Sequence, residues 1–172
     1  MLYDKESFDK KFLRWEEKLA VHKLPKWEEL PIFELYMDQV IVLVNGYLKI
    51  LESGDDRVLT PSMINNYVKL KTIPAPVKKR YSRVHLAYLI MICVLKQSLN
   101  ISMIEKLIPI NELGNNVSEI YNAFVDVQSN VFNQVTDLVR ERYSSEEFSD
   151  KLFMEYAVKA NVYNIIAEKL GK

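Results

Sequence analysis

An all-α fold, with at most a small β wing, is what this sequence predicts, and three observations predict it. About half of the 172 residues are apolar, and only four Gly and six Pro interrupt them, so the chain is near the globular average and poor in helix breakers. Apolar residues recur at three- and four-residue steps through most of its length. Start signals stand ahead of those runs at Ser7, Thr60, Ser82, Asn100 and Ser144, residues whose side-chain oxygens accept from the free N–H groups of a first turn. The length suits one ordinary domain, or one small module with a helical appendage.

Taken in order, Ser7 opens an amphipathic helix to about Ala20, with Phe8, Phe12, Trp15 and Leu19 at helical spacing. The proline-punctuated connector LPKWEELP follows. From Pro31 a long apolar helix is expected, striped by Val40, Val44, Tyr47 or Leu48, and Leu51, and ended by the turn Ser53-Gly54-Asp55-Asp56. Thr60 caps the next helix with Pro61 at its first position, and that helix ends before Pro74. Ser82 opens Arg83 to Gln97, apolar over more than half its circumference and therefore central to a core. Asn100 caps a short helix, Ile101 to Ile108, closed by Pro109. Asn116 to Tyr143 reads as one long helix, and Ser144 with Glu147 forms a capping box for a last helix to about Leu170.

The net charge is zero, yet the charges are segregated. From Arg57 to Ile104 there are eight Lys or Arg and no Asp or Glu, while residues 1–56 carry eight bases and twelve acids, and residues 105–172 seven and eleven. An acid-free basic block suits a polyanion, because one carboxylate beside phosphates repels them. At about 100° per residue, Ser62, Asn65, Asn66 and Lys69 share one face of the helix after Thr60, and Met63, Ile64, Tyr67, Val68 and Leu70 the other. Such a polar face fits a DNA major groove, where Asn reads adenine with paired hydrogen bonds and Ser or Lys holds phosphate or guanine. Pro74, Pro76 and then Lys78-Lys79-Arg80 make a segment too broken for helix, suited to a wing on the sugar-phosphate backbone. The candidate duplex contacts are Thr60, Ser62, Asn65, Asn66, Lys69, Lys71, Lys78, Lys79, Arg80, Tyr81 and Arg83.

Thr60-Pro61 through Tyr67 to Ile73-Pro74-Ala75-Pro76, then Tyr81-Ser82, Leu86, Leu89 and Ile101 to Ile108, resembles the DNA-binding module of the MerR regulators. In that module a recognition helix runs into a proline-rich exit, a basic wing and a helix pair. Two departures stand out: the MerR pattern has Arg then Tyr where this chain has Asn65 and Asn66, and the wing here is shorter and lacks its usual Gly. A closer resemblance, over most of the chain, is to the bacterial family known as domain of unknown function eighteen thirty-six, through LPKWEELP, LYMDQV, TPSMINNYVK and Pro-Ala-Pro-Val-Lys-Lys-Arg-Tyr. That family is thought to be MerR-like. The resemblance implies a MerR-like winged helix-turn-helix DNA-binding domain at 34–110; the helical spacing adds an N-terminal helix and connector at 1–33 and a C-terminal helical hairpin at 111–172, expected to serve dimerisation or effector binding.

In the long helix, Val117, Ile120, Phe124, Val127, Val131 and Leu138 follow alternating three- and four-residue steps broken at Gln134, the pattern of a coiled-coil seam and so of a homodimer interface. Tyr121, Phe132, Val135 and Val139 form a second edge, which Leu152, Tyr156, Tyr163, Ile166 and Leu170 of the last helix are expected to cover. A hairpin burying both edges within one monomer uses the same stripe. The tyrosines and phenylalanines, Tyr36, Tyr47, Tyr88, Phe153 and Tyr163 among them, are at core-like spacing, and an effector cavity between the last two helices is a further possibility.

Other chemistry finds little purchase. His22 and His85 have no carboxylate or cysteine at ligand spacing, His85 is expected at the surface or against the wing, and Cys93 is expected to be a buried structural thiol. Neighbouring acids at Glu28-Glu29 and Asp55-Asp56 diverge, and the glycines at 46, 54, 114 and 171 make no phosphate-cradling loop. No enzyme, metal or cofactor is expected. Without a signal peptide or an apolar run longer than Val84 to Leu95, the expectation is a soluble cytoplasmic protein, nucleoid-associated if it binds DNA. Two functions compete: a transcriptional regulator on double-stranded DNA, and a helical protein-protein adaptor with a basic face and no nucleic acid.

Overall fold

A computed structural model of the chain describes residues 5–52, 54, 56–108, 116–144 and 150–170. Its elements are α1 (Lys5–Val21), α2 (Met37–Tyr47), α3 (Pro61–Lys69), α4 (Arg83–Leu95), α5 (Ile101–Leu107), α6 (Val117–Ser144) and α7 (Asp150–Leu170), with short 3-10 turns at Trp27–Glu29 and Lys49–Leu51. The fold is all-α. Two isolated antiparallel bridges join Leu35 with Tyr81 and Val77 with Arg80.

The chain divides into two compact units. One comprises residues 23–127 and so takes in the connector before α2 and the first turns of α6. The other combines residues 1–22 with residues 128–172.

In the unit of residues 23–127, α4 is the core. Every residue from His85 to Cys93 is buried, as an all-round apolar helix requires. Helices α2 and α5 pack against it, and the unit's other fully buried side chains include Val40, Val44 and Leu48 of α2 and its exit, Ile64 and Tyr67 of α3, Ile104 of α5, and Tyr121 of α6. Tyr121 is fully buried, and its hydroxyl donates to the Pro25 carbonyl at 2.9 Å. A chain break in helical pattern is thereby satisfied, since Pro25 and its neighbours have no helix to accept from.

Several expected boundaries are corrected. Helix α2 begins at Met37, six residues after Pro31. Leu35 is instead held in extended pairing with Tyr81, through N–H to carbonyl bonds of 2.9 and 2.8 Å, and the Gln39 side chain accepts the Tyr36 N–H at 2.9 Å to start the helix. Helix α1 starts at Lys5, so Ser7 lies inside it and is not its cap. Helix α4 stops at Leu95, two residues short of Gln97. The caps at Thr60 and Asn100 are present, accepting from Met63 N–H at 3.4 Å and Met103 N–H at 3.0 Å. Pro109 and the capping box with Glu147 lie outside the described residues.

In the second unit, Phe12 of α1 stacks on Tyr143 of α6 with ring centroids 4.2 Å apart. Tyr143 donates to Asp9 at 2.9 Å, and Arg140 pairs with Glu16 at 2.7 Å. Helix α7 is tied by Arg142 to Glu155 at 3.1 Å and buries Leu152. Its expected inner residues Tyr163, Ile166 and Leu170 are exposed, as is Phe153, on a helix whose apolar residues are spread around most of its circumference.

His85, expected at the surface or against the wing, is buried and lies against the wing residue Tyr81. It is 6 % exposed, and its Nδ1 accepts the Ser82 N–H at 3.0 Å. Burial lowers its pKa below the usual 6.5, against the smaller raising influence of the Ala75 and Pro74 carbonyls and of Glu34. A folded-state pKa below the unfolded one means that the unfolded chain takes up the proton first. Stability is therefore flat above about pH 6.5 and falls as pH drops from there toward the folded value. His22 is shifted in the same direction by burial. The melting temperature is expected to fall between pH 7.5 and 5.5, and His85→Gln, which keeps an acceptor for Ser82, to flatten part of that slope. A slope unchanged in His85→Gln would remove His85 from the account.

Candidate nucleic-acid interface

Two local devices set up α3. Asn45 of α2 donates to the Leu59 carbonyl and accepts its N–H, both at 2.9 Å, which fixes the chain just before Thr60. Leu59 is itself fully buried. Thr60 and Pro61 then start the helix with the orphan N–H groups reduced by a cap and a residue that has none. The nine residues of α3 rise about 13 Å, about the width of a B-DNA major groove.

Ile64 and Tyr67 of α3 are buried, Met63 and Val68 half-buried, and Ser62, Asn65, Asn66 and Lys69 all exposed. The polar face read in the sequence is thus a solvent face. Leu70, placed with the apolar set, is 53 % exposed. It is the C-cap residue at the helix end.

The exit from α3 is a Schellman motif. Lys71 N–H donates to the Val68 carbonyl at 3.1 Å and Thr72 N–H to the Tyr67 carbonyl at 2.9 Å, with Lys71 itself at φ 61°. Glycine is the usual residue there because it has no Cβ to clash. Pro74 and Pro76 follow, and the chain doubles back in a two-residue hairpin. Arg80 N–H donates to the Val77 carbonyl at 2.9 Å, and the central residues Lys78 and Lys79 have φ of 50° and 62°. Two successive positive φ values mark a type I′ turn, for which Asn-Gly is preferred. All three non-glycine residues with positive φ among those described are lysines, one at the exit of α3 and two in the hairpin. Each costs about 1 to 2 kcal/mol relative to an unstrained backbone. Lysine carries no turn signature, so nothing in the sequence flagged this.

Lys69, Lys71, Lys78 and Lys79 are exposed, and none forms an ion pair among the described residues. Arg80 lies over the Tyr36 ring at 4.6 Å and donates to its hydroxyl at 2.9 Å, which braces the hairpin against the start of α2. Two of the candidate contacts face inward. Tyr81 is 2 % exposed, pairs with Leu35 and packs edge-on to His85. Arg83 donates to the Leu30 and Pro31 carbonyls at 2.7 and 3.4 Å and lies over Trp27 at 5.4 Å. It satisfies carbonyls that the Pro31 break leaves without a helical partner. Cys93 is buried, and desolvation pushes its thiol up to about 12. No group of three or more His, Cys, Asp or Glu among the described residues is placed to hold a metal.

The family described as Domain of unknown function (DUF1836) matches residues 25–124. The chain belongs to this family. The matched residues coincide closely with the compact unit of residues 23–127, so the family's common element includes the connector, α2 to α5, the hairpin and the first turns of α6. No curated protein and no solved structure matches the chain. No helix among the described residues is long and apolar enough to cross a membrane.

On α6, Val117 of the expected seam is buried, Ile120 and Phe124 are half-buried, and Val127, Val131 and Leu138 are exposed at 63, 52 and 39 %. The buried positions are Val117, Tyr121, Val125 and Thr136, so the inner stripe includes part of what was read as the second edge.

Proposed function

We propose that this DUF1836 protein is a MerR-like transcriptional regulator that binds double-stranded DNA, with α3 in the major groove and the hairpin at Val77–Arg80 on the backbone. One observation carries the reading: lysines occupy the three strained positions of the surface where Gly or Asn is cheaper. Strain of this kind persists where function holds it. Their ammonium groups, which form no ion pair among the described residues, supply the salt-dependent attraction that duplex DNA rewards. Within that reading Ser62, Asn65 and Asn66 meet base edges, Lys69, Lys71, Lys78, Lys79 and Arg80 meet phosphates, and Thr60 divides its hydroxyl between Met63 and a phosphate. Tyr81 and Arg83 hold the scaffold. Anisotropy of a labelled random duplex tests this: micromolar binding at low salt supports it, and no binding at 50 mM salt overturns it.

A module this small covers few base pairs, and a two-fold dimer doubles its site. The exposed apolar residues Val127, Val131 and Leu138 of α6 support a homodimer through that stripe. Val131→Asp is expected to convert a dimer into a monomer in sedimentation equilibrium at micromolar concentration, with an unchanged helical signal. A wild-type monomer that binds an isolated two-fold site tightly would contradict the dimer.

The adaptor reading has one observation in its favour, the exposure of Ile32, Phe33 and Val42 at 84, 65 and 74 %. Such a patch suits a protein partner. It lies outside the acid-free basic block, and a regulator and an adaptor both accommodate it.

A further inference from the structure

Beside the basic surface lies a cavity of about 730 Å³, bounded by the starts of α2 and α3 and by the hairpin. Its walls are apolar for the most part, from Ile41, Pro61, Pro76 and the ring of Tyr36. Three polar side chains also line it: the carboxylate of Asp38, the amide of Asn65 and the ammonium of Lys79. None of the three has a hydrogen-bond or ion-pair partner among the described residues. The wall is preset, since Arg80 pins Tyr36 and the Leu35–Tyr81 pairing ties the hairpin to the chain ahead of α2.

Asp38 is out of place on a surface built only for phosphates. A carboxylate lining the same cavity as Lys79 weakens that lysine's attraction for a polyanion. As a ligand site the same trio makes sense. An acid, a base and an amide over apolar walls match a molecule carrying both an ammonium and a carboxylate on an apolar body, and the volume is in the range of about 300 to 1,000 Å³ typical of small-molecule sites.

We propose that this cavity binds a small apolar zwitterion, its ammonium on Asp38, its carboxylate on Lys79 and its apolar body against Ile41, Pro61, Pro76 and Tyr36. Two of those groups, Asn65 and Lys79, are also duplex contacts in the function proposed above. A bound zwitterion therefore competes with DNA, and this second step rests on that reading, whereas the binding itself does not.

The dipeptide leucyl-phenylalanine serves as the probe, with its N-acetylated and C-amidated forms, in calorimetry without DNA. The full chain is expected to prefer the free dipeptide by about tenfold or more over each blocked form, the equivalent of one lost charged contact. Asp38→Asn is expected to lose the penalty for acetylation and keep that for amidation, and Lys79→Gln the reverse. Failure of the free dipeptide to bind at millimolar concentration, or equal binding of all three forms, overturns the proposal. The dipeptide is then added to a labelled duplex complex. Release from wild type but not from Asp38→Asn supports competition, and a ternary complex overturns it. Absence of any duplex complex refutes the DNA reading instead, with the calorimetric result still standing.

Discussion

Replacing Lys78 by Asn and Lys79 by Gly is expected to stabilise the fold and weaken duplex binding at once. Both residues have positive φ at the centre of a type I′ turn, where Asn-Gly is the favoured pair. Relief of strain offsets the added freedom of glycine in the unfolded chain, for a net gain of about 1 kcal/mol, or about 2 to 4 °C in melting temperature at this size. Binding moves the other way. Two charged contacts at about 1.5 kcal/mol each amount to a loss of roughly a hundredfold at moderate salt. The pair Lys78→Gln and Lys79→Gln separates the two effects, because it removes the charges and keeps the backbone. It is expected to bind as weakly as the Asn-Gly variant with the wild-type melting temperature. If Asn-Gly stabilises and binding is unaffected in both variants, the hairpin does not touch DNA.

Asn65→Ala is expected to cost discrimination and not stability. The side chain is exposed in the middle of α3 and has no hydrogen-bond partner among the described residues, so its removal opens no cavity, and alanine is the better helix former. A bidentate contact with adenine contributes about 1 to 3 kcal/mol of base discrimination, so preference at one position of the site is expected to relax by roughly five- to 150-fold. Selection from a random DNA pool reads this directly. Asn66→Ala is the companion variant, expected to relax a neighbouring position. A site of undiminished information from both variants would place α3 outside the groove.

The parts of the fold legible in the sequence were those fixed by local chemistry. Thr60 with Pro61 and Asn100 mark their helices through bonds within three residues, and the apolar circumference of α4 declares its central place. What pairing at long range decides was not legible. The start of α2 is displaced to Met37 because Leu35 pairs with Tyr81, 46 residues on. Arg83 reads in the sequence as a basic contact, whereas its guanidinium lies on the carbonyls of Leu30 and Pro31, and Tyr81 is likewise turned inward by a long-range partner, Leu35. On α6 a three- and four-residue stripe exists on both edges, so periodicity alone does not say which of them the other helices cover.

Within the candidate site, the polar face of α3 followed from spacing, since all four of its residues are exposed. The hairpin geometry did not. Turn prediction looks for Gly, Asn or Asp at positive φ, and Lys71, Lys78 and Lys79 occupy those positions instead. The departure from turn rules coincides with the residues proposed to meet phosphate, which is where a sequence under two demands breaks a local rule.

The salt dependence of binding to random duplex DNA tests the central claim most directly. If Lys69, Lys71, Lys78, Lys79 and Arg80 meet phosphates, the logarithm of the binding constant falls linearly with the logarithm of salt concentration, with a slope near −0.9 per contact, about −4 to −5 for one chain. Neutralising Lys78, Lys79 and Arg80 is expected to reduce that slope by nearly three. Binding that is absent at low salt, or a slope that those three substitutions leave unchanged, would contradict the account.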